Sequence, residues 1–105
     1  MGNENKNKYK IITLCGSIKF KNEFLKVQER LTLNGSIVFT PNFFTNKKNE
    51  IDSQMKKMLD KMHRQKIDMS DEIYVINFEG YIGESTKSEI EYAKAKGKKI
   101  SYLEN

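Results

Sequence analysis

Apolar positions along the chain fall into blocks whose spacing alternates between two periods. Residues 9–15 (YKIITLC) form a nearly unbroken apolar run closed by Gly16-Ser17, which predicts a short strand. Phe20, Phe24, Val27 and Leu31 then recur every three or four residues, up to a helix stop at Asn34-Gly35. Residues 36–40 (SIVFT) predict a second strand ended by Pro41, and residues 42–50 (NFFTNKKNE) a loop. Helical spacing returns over residues 51–68, where Ile51, Met55, Met58, Leu59 and Met62 form a stripe suited to the core or to a subunit interface. Residues 72–77 (EIYVIN) predict a third strand, too apolar for a sheet with one wet face. A glycine-bearing loop at 79–83 (EGYIG), a helix over 86–96 stopped by Gly97, and a last strand at 99–103 (KISYL) complete the chain. Residues 1–8 are polar and aperiodic, a disordered tail, which leaves 9–105 as one domain.

Strands and helices therefore alternate, β-α-β-α-β-α-β. With strands this apolar, the expected fold is α/β, a single parallel sheet of four strands covered by helices on both faces. Right-handed crossovers favour the doubly wound, flavodoxin- or Rossmann-like order 2-1-3-4. Ligands of such sheets sit where the strand order reverses, here between the first and third strands. That places Cys15-Gly16-Ser17, residues 77–83 and the start of the last helix around one crevice.

Composition narrows the function classes. A chain of 105 residues suits one domain, and its apolar runs of four or five residues are too short to span a bilayer. The N-terminus MGNENKNKYK lacks the apolar segment of a secretory signal, and Lys6 stands where a myristoylation signal needs Ser or Thr. One cysteine excludes an internal disulfide, and one cysteine with one histidine is expected to exclude a zinc ligand set within one chain. The expectation is a reduced, cytoplasmic protein without metal or cofactor. The net charge of +5 comes from scattered lysines, with Arg30 and Arg64 the only arginines. Phosphate clamping favours Arg, so a nucleic-acid partner is not expected.

Three groups of residues carry candidate chemistry. In LCGSIKF (14–20), Gly16 turns the backbone off a strand, and Ser17 offers a hydroxyl and an N–H at a helix start. This suits an anion, or simply a capped turn, and the P-loop spacing is absent. Along residues 80–99, Thr86 and Glu89 have the spacing of a capping box, which would make Glu89 a helix cap. Alternatively Glu89 turns its carboxylate into the crevice as nucleophile or base. His63 and Arg64 lie on the preceding helix, where a packed histidine and a surface salt bridge compete with roles toward a ligand.

Together these residues resemble the nucleoside 2-deoxyribosyltransferase-like superfamily, which includes the 2'-deoxynucleoside 5'-phosphate N-hydrolases. LCGSI (14–18) is similar to the N-hydrolases' phosphate-side turn, and ESTKSEIEYA (84–93) to the family's D-S-G-T-x-x-E-L-G-Y-A helix. The resemblance covers about residues 9–103 and sets Glu89 on the nucleophile and Ser85 near the hydroxyls that bind phosphate or sugar. Glu84 meets the family's aspartate only across a one-residue deletion. His63 stands where an aspartate on the preceding helix handles the leaving base. Thr13 replaces the N-hydrolases' first-strand tyrosine, and the chain reaches Asn105 without a fifth strand and final helix.

The resemblance implies cleavage of an N-glycosidic bond in a nucleoside or nucleotide, as hydrolase or transferase. Glu89 would attack the anomeric carbon and His63 protonate the departing base. Gly16, Ser17, Asn77, Gly83, Glu84, Ser85 and Arg64 would bind substrate. The alternative is a non-catalytic nucleotide-binding or sensor domain of the same fold. A homodimer or higher homo-oligomer is expected from the methionine stripe and from Phe43 and Phe44.

Overall fold

The computed structural model describes residues 8–45 and 51–105. Four strands, β1 (Lys10–Gly16), β2 (Ser36–Phe39), β3 (Glu72–Ile76) and β4 (Lys99–Tyr102), form one sheet in the order β2-β1-β3-β4. Every neighbouring pair is parallel, with Thr13 opposite Phe39 on one side and Ile73 on the other. Three helices connect them: α1 (Lys21–Leu33), α2 (Ser53–Asp68) and α3 (Glu84–Ala95). Short 3-10 turns, Ile18–Phe20 and Phe78–Gly80, follow β1 and β3. The expected fold class, strand number and order are those observed. Residues 1–7 of the tail and 46–50 of the loop lie outside the described residues.

Side-chain alternation along the central strands divides the core into two layers. Ile12 and Leu14 of β1 pack with Phe24 and Val27 of α1 and with Ile76. Cys15 points to the other face, where Ile67 of α2, Ile73 and Val75 of β3, and Ile90 and Ala93 of α3 meet. Because β1 and β3 are covered on both faces, they read as continuous apolar runs. Thr13 is the buried polar residue of β1. It donates to the Lys66 carbonyl at 3.1 Å and bonds the Ser70 hydroxyl, tying β1 to the C-terminal end of α2.

Two expectations about packing are corrected. The inward face of α2 runs through half-buried Leu59 and buried His63 and Ile67, each four residues from the last. Met55, Met58 and Met62 turn outward and are 44%, 52% and 45% exposed, so they are not core. The period of 3.6 allows either stripe, and the sheet takes the one with the β-branched residue and the imidazole. Phe43, one of the two aromatics from which a homodimer is expected, packs edge-on against Phe24 at 5.5 Å and is partly buried, whereas Phe44 is exposed. No described helix is long and apolar enough to cross a membrane.

Candidate functional site

A cleft of about 520 Å³ opens at the C-terminal ends of β1 and β3, where the strand order reverses. Gly16 and Ser17 line it from the end of β1, Leu59, Asp60 and His63 from α2, and Gly83, Glu84, Ser85, Thr86 and Glu89 from the start of α3. Pro41, Asn42 and Phe44, following β2, and Tyr81, following β3, contribute to its wall. The topology explains this convergence. β1 and β3 are adjacent and parallel, so the segments leaving them diverge to opposite faces and leave a crevice between.

Helix α3 begins at Glu84, with Gly83 as its extended N-cap residue and the Lys87 amide bonded to the Gly83 carbonyl at 2.9 Å. Thr86 is thus inside the first turn, and Gly83, having no side chain, gives the helix no side-chain cap. The capping-box expectation for Thr86 and Glu89 fails, because the helix starts two residues earlier than its sequence spacing suggested. Thr86, Ile90 and Ala93 form the buried face. Glu89 lies on the edge of that face, one turn beyond Ser85, so both reach the cleft.

At the floor of the cleft, Glu89 meets His63 and Cys15. The Glu89 Oε1 is 3.7 Å from His63 Nε2, which is 3.5 Å from Cys15 Sγ. The Glu89 side chain is only 20% exposed and that of His63 10%. Burial pushes the Glu89 carboxyl up to about 7, with nearby Asp60 adding to the rise and the Cys15 thiol, Arg64 and Lys56 opposing it. Burial also lowers His63 to about 4, assisted by the Lys66 cation and opposed by Asp60. The imidazole is therefore neutral at neutral pH, and its contact with Glu89 is not an ion pair despite the short distance. Burial, together with the Glu89 carboxylate, drives the Cys15 thiol well above its ordinary range. Cys15 is accordingly an unionised thiol, not a nucleophile.

The remaining candidates divide. Gly16, Ser17, Gly83, Glu84 and Ser85 all line the cleft. Gly16 is required by packing, since a Cβ there would sit 2.9 Å from the Ile76 carbonyl oxygen and 3.2 Å from the Phe24 ring. A β-branched replacement would push β1 from β3, so it cannot separate ligand binding from folding. Ser17 caps the first 3-10 turn by accepting from the Lys19 amide at 3.3 Å. Asn77 and Arg64 are engaged away from the lining. Asn77 exchanges two 2.9 Å hydrogen bonds with the Glu104 backbone, anchoring the segment after β4. Arg64 donates to the Ser88 hydroxyl at 3.2 Å and lies over the Tyr92 ring, pinning α2 to α3.

Several lining residues were missed in the sequence. Tyr81 stands at the mouth under the Lys19 ammonium, 3.8 Å from the ring centroid, and edge-on to Phe20. Its place between Gly80 and Gly83, just beyond the third strand, was a usable signal. Leu59 carried one too, since it is within one turn of His63. Pro41, Asn42 and Phe44 come from a loop with no periodicity and gave none.

Residues 11–102 match a family described as Domain of unknown function (DUF4406). No curated protein matches the chain.

Proposed function

The chain belongs to the DUF4406 family, and from that starting point we propose that it cleaves or transfers the N-glycosidic bond of a nucleoside or nucleotide, with Glu89 as the nucleophile. The observation that carries this reading is the state of Glu89. Its carboxyl is mostly buried on the cleft floor, does not cap its helix, and among the described residues is paired with no lysine or arginine. A buried carboxylate held without a cationic partner weakens the fold, and such groups concentrate where chemistry needs them. The cleft volume suits a ligand of nucleoside size.

In this mechanism a Glu89 carboxylate oxygen attacks the anomeric carbon as the carbon–nitrogen bond breaks, and the bonding pair leaves with the base. Water, or the nitrogen of a second base, then attacks the same carbon and releases Glu89. The Cys15 thiol, Arg64 and Lys56 favour the ionised form that the first step requires, against the burial that opposes it. His63 takes a different role from the one its position in the sequence implied. Held neutral, it lacks the acidic imidazolium proton that would protonate the departing base at neutral pH, and it positions the Glu89 carboxyl instead. Asp60, also on the cleft wall and one turn before His63, is the carboxyl available to handle the base.

Chromatography after incubating the protein with nucleosides and 5'-nucleotides, in deoxy and ribo forms, tests the proposal. Release of free base from at least one of them is expected. Saturable binding without release would point to the sensor reading.

A further inference from the structure

Three elements deliver one potential metal ligand each to the cleft floor: Cys15 from β1, His63 from α2 and Glu89 from α3. We propose that these three residues bind a single thiophilic divalent cation of the zinc class, with the fourth coordination position facing the cleft. Their ligand atoms all lie within 4.8 Å of one another, with the sulfur–nitrogen separation at 3.5 Å and the nitrogen–oxygen separation at 3.7 Å. A tetrahedral zinc with a Zn–S bond of about 2.3 Å and Zn–N and Zn–O bonds of about 2.0–2.2 Å requires edges of roughly 3.3–3.6 Å. The sulfur–nitrogen and nitrogen–oxygen edges are already close to that size, and the third lies within 4.8 Å.

The charges also balance. Binding releases the Cys15 proton to water, and the resulting thiolate, with the Glu89 carboxylate and a neutral imidazole, cancels a dication, so the filled site is neutral in a place where water is largely excluded. Sulfur and imidazole select zinc-like ions over magnesium or calcium, which prefer sets of oxygen ligands. Three protein ligands with one position open to a cleft is the arrangement of zinc sites that accept water or a small ligand. Counting cysteine and histidine alone excluded such a site, because the third ligand is a carboxylate. Binding does not depend on Glu89 being a nucleophile. If it is one, the bound cation occupies the attacking oxygen, and zinc becomes a reversible inhibitor that a chelator removes.

The test uses the untagged full chain and cobalt(II) chloride. The sequence has one cysteine, so a thiolate signal can come only from Cys15. A near-ultraviolet thiolate-to-cobalt charge-transfer band is expected, with tetrahedral visible bands saturating at one cobalt per chain. Zinc should displace it and magnesium should not. Cys15→Ser should abolish the charge-transfer band. Glu89→Gln alters the least buried of the three ligands, and circular dichroism checks that its fold is intact. It should weaken cobalt binding at least about tenfold, the lower end of what even outer-shell changes cost at such sites. Absence of the band in the native chain, or an unchanged affinity in Glu89→Gln, would overturn the proposal. Base release without a cobalt band would sink the metal site alone, and a band without base release would sink the N-glycosidic reading alone.

Discussion

Glu89 and His63 are neighbours whose burial acts on stability in opposite directions with pH. Burial raises Glu89 from its ordinary 4.5 to about 7. Its contribution to stability is therefore whole below about pH 4.5 and is lost as pH climbs through 7. His63 is lowered from 6.5 to about 4, so its contribution is present above 6.5 and is lost as pH falls through 4. Glu89→Gln removes the loss on the alkaline side only. In metal-free buffer at pH 8 this variant should be more stable than the native chain by roughly 1–3 kcal/mol, at 1.36 kcal/mol per pH unit. The gap should close near pH 4.5. Denaturant unfolding at both pH values measures it, and a variant less stable at pH 8 would mean that the native fold relies on the carboxylate. Glu89 and its crevice were legible in the sequence, because a glutamate early in a helix after a third parallel strand must lie near the strand ends. Its contact with Cys15 was not legible. Nothing in local spacing says that a strand residue and two helix residues, far apart in the chain, converge on one point.

At the level of elements, helical and strand periods identified all seven regular segments, and their ends shifted by a residue or two. The last helix is the instructive case. Thr86-x-x-Glu89 is good capping chemistry, yet the helix opens at Glu84, where the extended Gly83 allows the turn to begin earlier. Helix α2 shows a different limit. Its two apolar stripes are nearly equal in strength, and only the sheet decides which of them is buried. The outward stripe of Met55, Met58 and Met62 forms a flexible apolar surface rimmed by Lys57 and Lys61. Fully burying an exposed methionine contributes about 1.5–3 kcal/mol, and these are already half-buried, so the three from each chain together contribute roughly 5–9 kcal/mol, comparable to the roughly 8 kcal/mol of a micromolar dimer. Light scattering at micromolar concentration should report a homodimer, and Met58→Lys should convert it to a monomer without loss of secondary structure. A native chain that is strictly monomeric under these conditions contradicts this assignment.

For the molecule as a whole, the strand order 2-1-3-4 decides where chemistry can occur. The order reverses between β1 and β3, and the cleft, the buried carboxyl and the start of α3 all gather there. The fold was legible because doubly wound sheets follow from alternation and handedness. The cleft's outer wall was not, because it comes from aperiodic segments around Phe44 and Tyr81. The central claim is that Glu89 is a nucleophile and not a structural residue, and one comparison tests it directly. Base release by native chain and Glu89→Gln should be measured in chelated buffer at pH 8, on a substrate that the native protein cleaves. An amide cannot form the glycosyl ester, so activity should fall by about a thousandfold or more, which is about 4 kcal/mol at 1.36 per tenfold. The fold should remain at least as stable as the native one. Activity retained within about tenfold, in a variant that is folded, would contradict the account.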